Sequence, residues 1–266
     1  MKRSIIFILF LMFLGLGLSI VGERVALCDS LSNSTTSTDN GVVVGGDNSV
    51  NNNTNTMAEF VLPQEVPDPI EPVNRVFFTF NDKLYYWILR PAAKAYGYVI
   101  PKAFRVSLDN LMYNTLFPVR FVNSIIQGNL DKAGYELVRF LINIVIGLGG
   151  LADAADECFD MSRDYSNEDF GQTLGYYGIG EVAYLDLPFY GPSTVRDLVG
   201  DAVDTFGNPA YYLMNFWTFL GYELFYKFNK FSLNVDLYDE IKGESFDPYI
   251  AVRNYYVNYR RDLIRR

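Results

Sequence analysis

The chain has 266 residues, 50% hydrophobic and 16% aromatic, with 20 Tyr, 21 Phe, a formal charge of −9 and no histidine. The missing imidazole removes the commonest general base, the usual partner of a serine nucleophile and the commonest nitrogen ligand for a metal. The acidic balance argues against nucleic-acid binding, which rests on Lys and Arg clustered against phosphate.

Met1-Lys2-Arg3 followed by an apolar run from Ile5 to Val21 has the pattern of a secretory leader. Residues 1–28 are assigned to this signal sequence, with Cys28 the candidate lipobox cysteine. Val25 and Ala26 fit the positions before it, whereas Leu27 and the charged pair Glu23-Arg24 depart from the lipobox pattern. The other cysteine, Cys158, is the alternative partner for Cys28 in an oxidising compartment. Residues 29–58 are rich in Ser, Thr, Asn and Gly, with too little apolar surface to fold, and read as a disordered polar linker. The composition changes near Glu59, which places one folded domain at 59–266.

That domain reads as helices broken by Gly and Pro. Asp68 as N-cap, Pro69 at the first helical position and Glu71 closing a capping box predict a helix start. Val73, Val76, Phe77, Phe80, Leu84, Trp87 and Ile88 then recur at helical spacing, leaving Asn74, Arg75, Asn81 and Asp82 on other faces. Pro91 ends or kinks this helix. Cap-plus-proline signals recur at Asn208-Pro209 and Asp247-Pro248. Sustained period-2 alternation is scarce, so the predicted class is all-α.

Between Lys132 and Gly147 the polar residues are Lys132, Glu136, Arg139 and Asn143, spaced four, three and four. They draw one narrow polar stripe on an otherwise apolar helix. Two readings fit: a core helix whose charges are satisfied by ion pairs, or a membrane helix whose stripe faces a wet lumen. The apolar stretch from Phe140 to Leu151 is too short to cross a bilayer and closes in Gly147-Leu148-Gly149-Gly150. This is the pattern of a hairpin dipping into one leaflet, with Gly147, Gly149 and Gly150 as its hinge. Farther on, nine of the eighteen residues from Tyr211 to Phe228 are aromatic. Tyr211, Tyr212, Phe216, Trp217 and Phe219 are candidates for a membrane interface, where an apolar ring and a polar tip are both satisfied; an aromatic core is the rival.

Catalytic and metal chemistry is poorly represented. Asp153, Asp156, Glu157 and Asp160 share a helical face without a calcium-loop pattern, and read as solvated carboxylates, as do Asp197, Asp201 and Asp204. Ser193 lies in Gly-Pro-Ser-Thr rather than a nucleophile elbow. Arg253, Arg260, Arg261, Arg265 and Arg266 read as a solvated basic tail or as a contact for headgroups or an acidic partner. No cofactor, metal or catalytic residue is assigned.

Ordered motifs run from about 66 to 260. They comprise Asp68-Pro69-Ile70-Glu71-Pro72-Val73-Asn74-Arg75, Phe80-Asn81, Arg90-Pro91, Val122-Asn123, Gln127-Gly128 and Arg139-Phe140 with Asn143. Gly147 to Asp153, Phe170 to Gly175, Leu187-Pro188, Gly191-Pro192-Ser193, Arg196-Asp197 and Asp247-Pro248-Tyr249 with Arg253 complete the set. In this order they resemble the MlaA/VacJ family of outer-membrane lipid-asymmetry lipoproteins. The resemblance implies a ring of amphipathic helices in the inner leaflet of an outer membrane, with a central amphipathic channel. It implies removal of phospholipids that have strayed into the outer leaflet and their delivery to a periplasmic carrier, which feeds an inner-membrane ABC transporter. It also implies association with trimeric porins. On that basis Lys132, Glu136, Arg139 and Asn143 are the candidate channel lining. Two other classes remain: a porin-associated structural lipoprotein without transport activity, and a phospholipase using Ser193 or Asp197. The stretch Glu181-Val182-Ala183-Tyr184 departs from the family, which usually has a Gly-Pro turn there.

Overall fold

The computed structural model describes residues 66–243 and 245–266. The expectations for the leader, Cys28, the 29–58 linker and the domain start at 59 lie outside them. Residues 66–156 and 160–266 form one compact unit.

Helix α1 (Glu71–Leu84) passes through a π-turn (Tyr85–Leu89) into α2 (Arg90–Val99). Pro91 has no N–H to return to the preceding turn, and the wider π-turn, closed by Arg90 N–H on Tyr85 O, lets the helix continue where the sequence predicts a stop or kink. The helix start also differs from expectation. Ile70 holds the cap position without a side-chain bond, because Asp68 is committed elsewhere: it accepts from Asn74 Nδ2 at 2.8 Å, Arg253 Nη1 at 3.0 Å and the Tyr249 hydroxyl. Glu71 pairs with Arg75 instead of closing a capping box.

The apolar face of α1 points outward. Val73, Val76, Trp87 and Ile88 are exposed, while Asn74 is 1% exposed. Asn74 and Asn81, two turns apart, grip an antiparallel hairpin of β1 (Tyr184–Leu187) and β2 (Gly191–Thr194). Asn74 donates to Tyr184 O and accepts from Asp186 N–H; Asn81 donates to Leu187 O and accepts from Phe189 N–H. These amides satisfy the backbone groups of β1 that a third strand would otherwise have to pair.

The helices between are α3 (Lys102–Thr115), α4 (Phe117–Ile126), α5 (Leu130–Val145), α6 (Ala154–Phe159) and α7 (Phe170–Tyr176). After the hairpin come α8 (Val195–Gly207), α9 (Pro209–Leu213), α10 (Phe216–Leu233), α11 (Leu237–Gly243) and α12 (Pro248–Arg265). Asn208 caps α9 and Asp247 caps α12, as the proline signals indicate.

Far from being a solvated tail, α12 is pinned by three of its arginines. Arg253 pairs with Asp68 at 3.0 Å, Arg260 with Asp169 at 2.6 Å and Asp197 at 3.0 Å, and Arg261 with Glu181 at 2.7 Å. Burial works to raise the Asp169 and Asp197 carboxyls, but the arginines outweigh it and hold both below the ordinary range. Asp197 is therefore a buried structural carboxylate rather than a solvated one. A small apolar core forms where Tyr184, Tyr249 and Val257 meet, with Val66, Phe78, Ile250 and Tyr256 against them.

The pattern of α1 extends through the unit. Among the described residues 25 polar or charged side chains are buried against 15 hydrophobic ones, while large apolar side chains crowd the outside. A water-soluble domain has the reverse arrangement.

Candidate functional site

Helix α5 carries the polar stripe, and Asn129 caps it by accepting from Lys132 N–H. All four stripe residues are 5% exposed or less. Lys132 Nζ lies 2.5 Å from Glu168, whose other oxygen accepts from Gln127. Glu136 meets Arg120 at 2.6 Å and accepts from the Ser166 hydroxyl. Arg139 meets Asp153 at 2.5 Å. Asn143 donates to Asp153 and to Asn114, and accepts from Ala155 N–H. The expectation that these side chains line a wet lumen is corrected here. They are buried against neighbouring segments and paired there, with Arg139 Nε and Nη1 the atoms left without a hydrogen-bond partner, and α5 presents Leu137, Val138, Leu141, Ile144 and Val145 outward instead.

Charge matching makes this burial tolerable, since an unpaired ion loses several kcal/mol of hydration on leaving water. Asp153 is shared by Arg139 and Arg163, and Arg163 also reaches Asp109. Burial pushes the Asp153 carboxyl up, yet the two guanidiniums more than reverse this and leave it below its usual value. It is a clasped carboxylate, not the solvated helix charge its spacing suggested. Tyr113 fills the centre: the Arg120 guanidinium lies 3.6 Å from its ring centroid, Arg163 4.5 Å and Arg139 5.8 Å. Burial raises its hydroxyl. Asn123, Gln127, Arg139, Asn143, Asp153 and Thr173 belong to the sequence motifs, and they meet in this lattice through direct bonds such as Thr173 to Asn123 and Gln127 to Thr173.

The lattice ends at the glycine turn. A Cβ on Gly147 would lie 2.3 Å from Ala152 O, and Gly150 has φ +91° with the Asn114 side chain 3.0 Å from where its Cβ would be. Only glycine fits those two positions without movement. Gly149 is also left-handed but faces open space.

This arrangement of motifs decides the family. A family model described as MlaA lipoprotein matches residues 66–263. The chain belongs to the MlaA lipoprotein family. It is 34% identical over 205 residues to the intermembrane phospholipid transport system lipoprotein MlaA of Escherichia coli (strain K12), across 74% of this chain and 78% of that protein. It is 37% identical over 155 residues to the protein of the same name from Haemophilus influenzae, across 58% of this chain and 60% of that one. A solved structure described as "Structural basis for maintenance of bacterial outer membrane lipid asymmetry" matches with a TM-score of 0.66 at 34% identity. That match covers 74% of this chain and 98% of the other. The all-helical class thus holds for this chain, whose described residues include one short hairpin.

On the aromatic segment of this MlaA-family chain, Tyr211, Tyr212, Phe216 and Trp217 are exposed, Trp217 at 77%. Phe219 is a correction to the interface set. It is buried, with its ring 5.4 Å from Tyr211 and 6.3 Å from Tyr222. Ser193 is buried too, its hydroxyl bonded to Thr194 O, and Asp197 is held by Arg196 and Arg260. Arg120, Arg163 and Glu168 are not among the residues the sequence singles out, and Asp153 is there only as a solvated carboxylate. The one signal available was that each charge on a narrow buried stripe demands an opposite charge nearby; its position in sequence, 36 residues away for Glu168, is set by tertiary packing alone.

Proposed function

We propose that this chain transports phospholipid between the membranes of a cell envelope, working from the periplasmic side of an outer membrane. It removes phospholipid that has strayed into the outer leaflet and hands it to a periplasmic carrier supplying an inner-membrane ABC transporter, beside a porin trimer. The names of the relatives support intermembrane phospholipid transport; the carrier and porin rest on the family resemblance.

The observation that carries this reading is the reversed surface. Val76, Trp87, Leu141, Val145, Leu213, Phe216 and Trp217 are exposed, and each such side chain gains about 1.5–3 kcal/mol on leaving water for hydrocarbon. Among the described residues no helix is long and apolar enough to cross a membrane. Helices of this kind are satisfied by lying in one leaflet, with Tyr211, Tyr212, Phe216 and Trp217 at its interface. A headgroup kept on water-accessible polar groups is spared the cost of passing through hydrocarbon while its tails stay on apolar walls. The α5 lattice fixes the frame of that passage, and Gly147, Gly149 and Gly150 form the pivot of the adjoining hairpin. No covalent step is needed.

Phospholipid in the outer leaflet of cells lacking the protein is the test. Accumulation reversed by re-expression is expected. An unchanged outer leaflet would leave the structural-lipoprotein reading in its place.

A further inference from the structure

A second polar group differs from the α5 lattice. Tyr190, in the hairpin turn, donates its hydroxyl to Asp201 on α8. Its ring carries the Lys227 ammonium 4.0 Å from the centroid. Lys227 lies one turn beyond Glu223 on α10, and Glu223 accepts from Asn208 Nδ2 at 3.0 Å. Asp201 and Lys227 are exposed, Tyr190 is 42% exposed and Glu223 half-buried. Yet burial lifts the Asp201 and Glu223 carboxyls above the ordinary range, with Lys227 opposing. The four side chains form one water-accessible cluster between the hairpin turn, α8 and α10.

From this geometry we infer that the cluster of Tyr190, Asp201, Glu223 and Lys227 reads the headgroup, preferring phospholipids that bear an ammonium over anionic ones. The inference rests on the phospholipid-transport reading. Two carboxylates face one lysine here, so the group carries an excess negative charge that repels a purely anionic headgroup and attracts a cationic one. An aromatic face beside carboxylates is the arrangement that holds organic ammonium ions. Lys227 already shows the fit, since its own ammonium rests on the ring, and among the described residues none of the ion pairs uses it. A metal ion is the poorer match: among the described residues no three carboxylates or thiols converge as ligands. An incoming headgroup ammonium takes the ring from Lys227, whose flexible arm is then free to meet the lipid phosphate.

The test uses the full chain, equilibrated with vesicles of equal phosphatidylethanolamine and phosphatidylglycerol, with the protein-bound lipid quantified by mass spectrometry. The wild type is expected to favour the ethanolamine lipid by about two- to fivefold, the range a water-exposed cation–π contact supplies. Asp201→Asn and Glu223→Gln, both isosteric, should bring the ratio towards one, and Lys227→Gln should raise it. Circular dichroism checks each fold, and either carboxylate variant suffices if the other is lost. A ratio unmoved in a folded carboxylate variant overturns the inference. So does capture of soluble O-phosphoethanolamine with no preference between the lipids, which would assign the cluster to a free amine. Failure to bind either lipid would instead break the transport reading.

Discussion

The two polar regions of this molecule answer the same problem in opposite ways. On α5, charges are enclosed, paired and cut off from solvent: Lys132 with Glu168, Glu136 with Arg120, Arg139 with Asp153. Around Tyr190 they are reachable and unequal, with Asp201 and Glu223 facing a single lysine that rests on an aromatic ring. Matched buried charge is closed off from solvent and serves as architecture. Unmatched accessible charge keeps its capacity, and a ligand site is found there.

The largest effect should come from breaking one side of a matched pair. Glu136→Ala leaves Arg120 buried without its carboxylate, an expected loss of about 3–5 kcal/mol, or roughly 10 °C in Tm for a domain of this size. Replacing both partners, Arg120→Met with Glu136→Leu, should be close to neutral in the same thermal melts. A double variant as unstable as the single one would break the architectural reading of α5.

Asp186 probes the rule from the other side, being 1% exposed with an amide, Asn81, rather than a cation as its hydrogen-bond partner. Burial pushes its carboxyl from 3.8 to about 6. A folded-state value raised in this way contributes stability that is complete below 3.8 and lost as pH rises through 6. Asp186→Asn should therefore stabilise by on the order of 2–3 kcal/mol at pH 7.5 and by almost nothing at pH 3.5, as read by denaturant titration at the two pH values. Equal gains at both would show that the carboxyl is not titrating.

Smaller effects sharpen the comparison at the backbone. Gly150→Ala, at φ +91° against Asn114, should cost about 1–3 kcal/mol and loosen the end of the lattice, measured as faster amide exchange of the α5 C-terminus. Val182 is a β-branched residue at φ +65°. Val182→Gly should add about 0.5–1 kcal/mol in a urea titration without altering the Tyr190 cluster.

Much of this molecule was legible before its coordinates. The four-three-four spacing on α5 located the stripe, and Asn208 and Asp247 announced their helices. What periodicity cannot say is which face looks inward. The run from Val73 to Ile88 marks an apolar face under either orientation, and only Asn74 and Asn81 meeting β1 reveal that the polar edge is the inner one. Asp68 misled for a related reason. Its spacing suits an N-cap, but Arg253 and Tyr249, some 180 residues away, bind it more strongly than the helix start can. The partners of the stripe, and the convergence of Tyr190, Asp201, Glu223 and Lys227, are likewise long-range facts that no local pattern encodes.

Helix α12 has a bearing on the order in which the chain acquires its shape. Asp68, Asp169, Glu181 and Asp197 all wait for arginines between 253 and 261. On a ribosome making protein from the N-terminus, Asp68, Asp169 and Glu181 stay without these arginines, and Asp197 has only Arg196, until almost every other described helix has been synthesised. Long-range closures of this kind slow folding, so the contacts that tie the unit to its last helix form only once that helix has emerged.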